Sequence, residues 1–203
     1  MTTVADRTPR HGGLRRDARG QSLIEAALVI PVVFFITMGV ADIGVALRNQ
    51  LTVAAFAREG SNLVSRDVSF AQAATVLKNM SSGPINLDAN TRVTFTVIRR
   101  GATEGTANYD KLIVYQRYQF GNGTGKSRLK TKGTGTFNGA PDYEAKNSDT
   151  DSNLQITNPP SGIVTSIGGL VYVTEVTTPH SSMTNLLNWG VSIPTELYSI
   201  AYF

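Results

Sequence analysis

The run from Ala26 to Ala41 carries no charged residue and is bordered by a carboxylate at each end, Glu25 before it and Asp42 after it. Extended to Leu47 it makes about 33 Å of helix at 1.5 Å per residue, enough to cross a bilayer core. The segment therefore reads as a single membrane-spanning helix. An ionised carboxylate facing hydrocarbon costs several kcal/mol, so Glu25 at the entrance to this helix calls for a role. Asp42 lies about 24 Å further along, near the opposite border, where a charge costs far less. Pro31 lacks an amide hydrogen and clashes with the carbonyl of Ala27. A kink is expected there, which membrane helices tolerate.

The chain has 203 residues and a formal charge of +4, room for one anchor and one modest domain. The charge is concentrated at the start. Arg7, Arg10, Arg15, Arg16 and Arg19 stand against Asp6 and Asp17, leaving the rest of the chain nearly neutral. Basic residues beside an apolar segment set which end stays in the cytoplasm, so the expected topology is N-terminus inside and bulk outside. The same distribution removes the main argument for a nucleic-acid partner, and none is expected. With no cysteine, disulfide and thiolate chemistry are ruled out. The absence fits an exported domain with an adequate core.

The stretch Arg19-Gly20-Gln21-Ser22-Leu23-Ile24-Glu25 resembles the processing site of type IV prepilins. Pro31, the Gly39–Asp42–Gly44 exit and Ala54-Ala55-Phe56-Ala57-Arg58-Glu59-Gly60-Ser61 then resemble the TadE-like family of pilin-like proteins, over about residues 15 to 66. Ile43 departs from the pattern, which more usually has an aromatic after the aspartate. The resemblance implies a minor pilin or pseudopilin that assists assembly of tight-adherence pili. It implies a prepilin peptidase cutting between Gly20 and Gln21, and Glu25 guiding assembly. The implied partners are the membrane, that peptidase, other pilin-like subunits and the pilus assembly platform. The implied location is the bacterial inner membrane, with no cofactor and no enzymatic activity. Two alternatives remain open: an uncleaved membrane-anchored binding or adhesive domain, and a secreted domain cut after Gly39-Val40-Ala41.

Three parts are expected: a basic cytoplasmic leader at 1–20, a membrane and stalk helix at 21–66, and an extracytoplasmic domain at 67–203. Leu47, Leu51, Ala54 and Ala55 repeat at helical spacing and extend the helix to about Ser65, with Gly60 a bend or end. Ser69-Phe70-Ala71-Gln72 reads as a capping box opening a helix with Phe70, Ala73, Ala74 and Leu77 on one face, stopped by Ser81-Ser82-Gly83-Pro84. Four strands are predicted over Arg92–Ile98, Leu112–Phe120, Leu170–Thr177 and Leu197–Phe203. Val93, Phe95 and Val97 would share one side of the first; Leu112, Val114 and Tyr118 would share one side of the second. The fold class is α+β, a short helix packed on one face of a small antiparallel sheet. Residues 121–162 are polar, with few apolar anchors, and read as a long flexible loop.

That loop holds three patterns with chemical meaning. Gly121-Asn122-Gly123-Thr124-Gly125-Lys126-Ser127 approaches a phosphate-binding loop, but Phe120 occupies the position of its first glycine. Lys126, Arg128, Lys130 and Lys132 alternate and would share a face in an extended chain. Asp149, Asp151 and Asn153 have the alternate spacing of a calcium loop, without its glycine turn or its closing glutamate. The two histidines, His11 and His180, form no cluster, and no nucleophile motif is present.

Overall fold

The computed structural model describes residues 14–163, 165–181 and 194–203, with side chains from Gly20 onward. The leader arginines therefore lie outside what can be described. The elements are α1 (Leu14–Ser65), α2 (Phe70–Met80), β1 (Arg92–Arg100), β2 (Leu112–Phe120), a 3-10 turn at Ser152–Leu154, β3 (Leu170–Pro179) and β4 (Glu196–Tyr202). The expected class, α+β with one long N-terminal helix and a four-stranded antiparallel sheet, is what forms. Pro31 sits inside α1 without ending it. The chain divides into two compact units, Met1–Gly44 and Val45–Phe203. Residues 45–65 of α1 belong with the sheet because their apolar stripe is buried on it.

That stripe is Val53, Phe56, Ala57, Gly60, Ser61 and Val64, a helical repeat of three and four. Leu47 and Leu51, whose spacing predicts the helix to about Ser65, are exposed, and the helix does end at Ser65. Gly60 is neither a bend nor an end. A Cβ there would crowd Thr174, Leu77 and Phe95, so glycine lets the helix lie close against the sheet. Gln50 Nε2 and Ser61 Oγ donate to the carbonyls of Tyr198 and Ala201, at 2.9 and 2.8 Å, fastening this half of α1 to β4. Helix α2 begins as expected, with the Ser69 hydroxyl accepting from the Gln72 amide, and buries Phe70, Ala73, Ala74 and Leu77.

The sheet order is β2-β1-β3-β4. Because β1 and β3 are central, most of their residues are buried on both faces. One face, with Val93, Phe95, Val97, Val176, Leu197 and Ala201, packs under α2 and the second half of α1. The other carries Ile98, Val114, Val171 and Val173 and is not left to solvent.

Two expectations fail here for physical reasons. A β-bulge breaks the register: Val97 pairs with Gln116 but Ile98 pairs with Val114, so Tyr115 is the extra residue. The bulge shifts the alternation of β2 by one. Leu112 and Val114 go to the face opposite the helices, while Tyr118 stays among the aromatic rings beneath them, with Phe70 and Phe95. The second failure is residues 121–162. Far from lacking anchors, the segment folds back over the open face, burying Leu129 with Ile98, Val114, Val171 and Val173, with Phe137 and Ile156 packed against them. Ala145 and Leu154 close on Ile113. Short bridges Thr131–Ile156 and Phe137–Ala145 hold it together.

Glu175 pins this second cover to the sheet. It is 2% exposed, in the middle of β3. Its carboxylate accepts from Ser127 Oγ, from the Arg128 amide at 2.7 Å, from the Leu129 amide at 3.3 Å and from Tyr198 Oη at 2.7 Å. Burial first and Glu175 second push the Tyr198 phenol far above its ordinary range, so it remains a donor. Replacing Glu175 with Ala strands four donors, that of Leu129 buried and the other three part-buried. The expected loss is roughly 3 kcal/mol, a fall in Tm of about 10 °C, with faster amide exchange at Arg128 and Leu129. Unchanged exchange there would show that the segment is held without Glu175. The raised phenol adds a sign: its contribution is complete below pH ~10, where the unfolded phenol ionises, and is lost as the pH rises further. Tyr198→Phe should flatten that alkaline slope of unfolding free energy.

Candidate functional site

The N-terminal part of α1 is where the chain departs from what a packed domain needs. From Leu23 to Ile36, and again at Val40 and Ile43, large apolar side chains are more than half exposed, Phe35 slightly less so. Among the described residues one helix, Gly20–Ser65, is long and apolar enough to cross a membrane, with a mean hydropathy of 2.4 in its most apolar window. Such exposure suits a hydrocarbon solvent or neighbouring helices rather than water.

The candidate site stands at the start of this surface. Gly20, Gln21 and Glu25 are all exposed and helical, and Gln21 Nε2 donates to Glu25 Oε1 at 3.1 Å across one turn. Glu25 lies among exposed Leu23, Ile24 and Leu28. A Cβ placed on Gly20 would meet no atom within 4 Å. Helical glycine costs about 1 kcal/mol relative to alanine, and here neither close packing nor a special backbone angle accounts for it. Asp42 is buried, 2% exposed.

The patterns inside 121–162 are absorbed by the fold. In the phosphate-loop-like stretch, Gly121 has a φ of 88°, and a Cβ there would collide with the carbonyl of Thr91. A Cβ at Gly123 would collide with the backbone of Asn90. These glycines serve close approach of two backbone segments. Lys126, Arg128, Lys130 and Lys132 do share an exposed face, with Leu129 buried between them. Arg128 lies over the Tyr198 ring at 4.0 Å.

The calcium-like trio is spent internally. Asp149 Oδ1 accepts from Arg99 Nη2 at 2.7 Å and Asp149 Oδ2 from Thr103 Oγ1 at 3.0 Å. Asp151 caps the 3-10 turn by accepting from the Asn153 amide. Among the described residues no group of three or more His, Asp or Glu side chains is placed to hold a metal. His180 contributes its backbone amide to the Thr195 carbonyl.

Glu175 is the residue that sequence reasoning passed over. Its signal was present: one carboxylate inside an otherwise β-branched and aromatic strand. Arg117 was placed in β2 but its setting was not foreseen, since the bulge decides which face it takes.

A family model described as TadE-like protein matches residues 20–62, about a fifth of the chain. The matched stretch begins at Gly20, takes in Glu25 and Asp42, and ends just after the Gly60–Ser61 contact with the sheet. The resemblance read from the sequence holds over that stretch. No curated protein and no solved structure matches the chain.

If Asp149 serves Arg99 rather than a cation, millimolar calcium should leave Tm unchanged. Asp149→Ala should cost about 1–2 kcal/mol by stranding the half-buried guanidinium. A calcium-dependent rise in Tm that Asp149→Ala abolishes would reverse this assignment.

Proposed function

We propose that this chain is a TadE-like minor pilin or pseudopilin. It is a non-enzymatic, single-pass protein of the bacterial inner membrane that assists assembly of a tight-adherence pilus. Its N-terminus is cytoplasmic and its sheet domain extracytoplasmic. In this reading a prepilin peptidase removes residues 1–20 between Gly20 and Gln21. The carrying observation is the pair Gly20 and Glu25 at the head of an exposed apolar helix. The fold supplies no reason for a glycine at 20, and a peptidase that requires a small residue before its cut does.

The chemistry after the cut follows from charge. Gln21 would gain a free amine four residues from Glu25, inside an apolar setting where each charge needs a partner. A neighbouring subunit's amine can pair with Glu25, and such pairing fixes axial register between helices. Exposed apolar side chains also continue past Asp42, at Ile43, Leu47 and Leu51. Ile36, Val40, Ile43, Leu47 and Leu51 follow one another at three- and four-residue steps, each more than half exposed. This stripe, on a different face from Val53, Phe56 and Gly60, suits packing against other pilin-like subunits and the assembly platform.

Sequencing the mature N-terminus tests the cut. Gln21 is the expected first residue. Met1 or Thr2 would point to an uncleaved anchored binding domain and Asp42 to a secreted one, and either overturns the proposal. Glu25→Val should insert and be cleaved normally while pilus assembly falls at least tenfold. Normal assembly in that variant would remove Glu25 from the mechanism.

A further inference from the structure

Beside the outer edge of β2 lies a cavity of about 590 Å³, lined among others by Arg117, Gln119, Thr131, Thr134, Phe137 and Leu154. One wall is the sheet and the other is the covering segment. Arg117 sits in this wall opposite Thr96 of β1. Its Nε and Nη2 are buried and have no hydrogen-bond partner among the described residues. Burial lowers its pKa, with the charge of Glu175 working the other way. Glu175 makes no hydrogen bond to these atoms; its two oxygens accept from Ser127, Arg128, Leu129 and Tyr198.

A guanidinium carries a planar fork of donors that matches an oxyanion two bonds at a time. Buried donors are normally satisfied, and a buried charge more so. Within the cavity wall the Gln119 amide and the Thr134 hydroxyl add further donor capacity. Lys130 and Lys132 flank Thr131 in sequence, are exposed, and form no ion pair among the described residues. They raise the positive potential around the cavity and would attract an anion to it. No carboxylate lines the cavity.

We propose that this cavity is a binding site for a small oxyanion, a carboxylate or phosphate group, held by the Arg117 guanidinium with Gln119 and Thr134 at its side. The proposal requires a change of side-chain torsion that turns the buried Nε–Nη2 edge toward the cavity, where Phe137 of the wall would lie against an apolar body behind the charged group. The site is independent of the pilin reading, since none of its residues lies in α1.

The test uses the full chain in detergent micelles, titrated with sodium phosphate and separately with sodium acetate, against sodium chloride at equal ionic strength. At least one of the two oxyanions should raise Tm saturably, where chloride does not. Which one responds distinguishes a phosphate site from a carboxylate site. Arg117→Met should lose the response. Gln119→Glu places a carboxylate two residues along the same face of β2, within reach of the guanidinium. It should raise Tm with no anion present and lose the response to added oxyanion, which keeps the test decisive if Arg117→Met does not fold. A saturable response that survives in Gln119→Glu, or equal behaviour of phosphate, acetate and chloride with the unsubstituted chain, overturns the site.

Discussion

The two inner strands must be covered twice, and the rest of the sheet domain follows from that. Val93, Phe95 and Val97 face one way and Ile98, Val171 and Val173 the other, all of them buried. A helical layer can cover only one side. The two α-helices among the described residues are both used on the same face, so the second cover comes from a segment with almost no regular structure. Such a segment has only short backbone bridges of its own, and a polar anchor fixes it where it meets the sheet. Glu175 is that anchor: a carboxylate inside β3 that satisfies two backbone amides of the segment, a hydroxyl and a phenol.

Local information was enough for most elements. The Ser69 cap, the apolar face of α2 and three of the four strand starts lie within windows of ten residues, where period and capping chemistry act. What the sequence did not disclose depends on contacts far apart in the chain. Leu129, Phe137, Leu154 and Ile156 are single apolar residues in a polar stretch, and no period links them. They become a layer only when the sheet exists for them to cover. The bulge at Tyr115 is equally invisible, because one extra residue changes the facing of half a strand without changing its composition.

The candidate site was legible for the opposite reason. Gly20, Gln21 and Glu25 are close in sequence, and their oddness is visible without a fold: a helix-weakening residue and a charge at the edge of an apolar run. The structure sharpens this by contrast with Gly60. Both glycines lie in α1, yet a Cβ at Gly60 would strike Thr174, Leu77 and Phe95, while one at Gly20 would strike nothing. Packing explains the first glycine, and only something outside the folded chain explains the second. Spacing alone cannot say how a carboxylate of the calcium-like trio is used, and Asp149 is paired with Arg99.

Helix α1 therefore answers to two solvents along one covalent rod. Up to Ile43 its large side chains are exposed, as hydrocarbon or other helices would require. From Val53 to Val64 a single stripe is buried against the sheet. The second half cannot be dispensed with, since without it Phe95 and Val176 would face water. Any fragment of the domain that begins after Ser65 loses one wall of its larger core. A cut at Ala41 would preserve that wall, and so would one at Gly20. Fold stability cannot choose between these two sites. In the proposed reading the choice falls to the peptidase, and so to the local chemistry around Gly20 and Glu25.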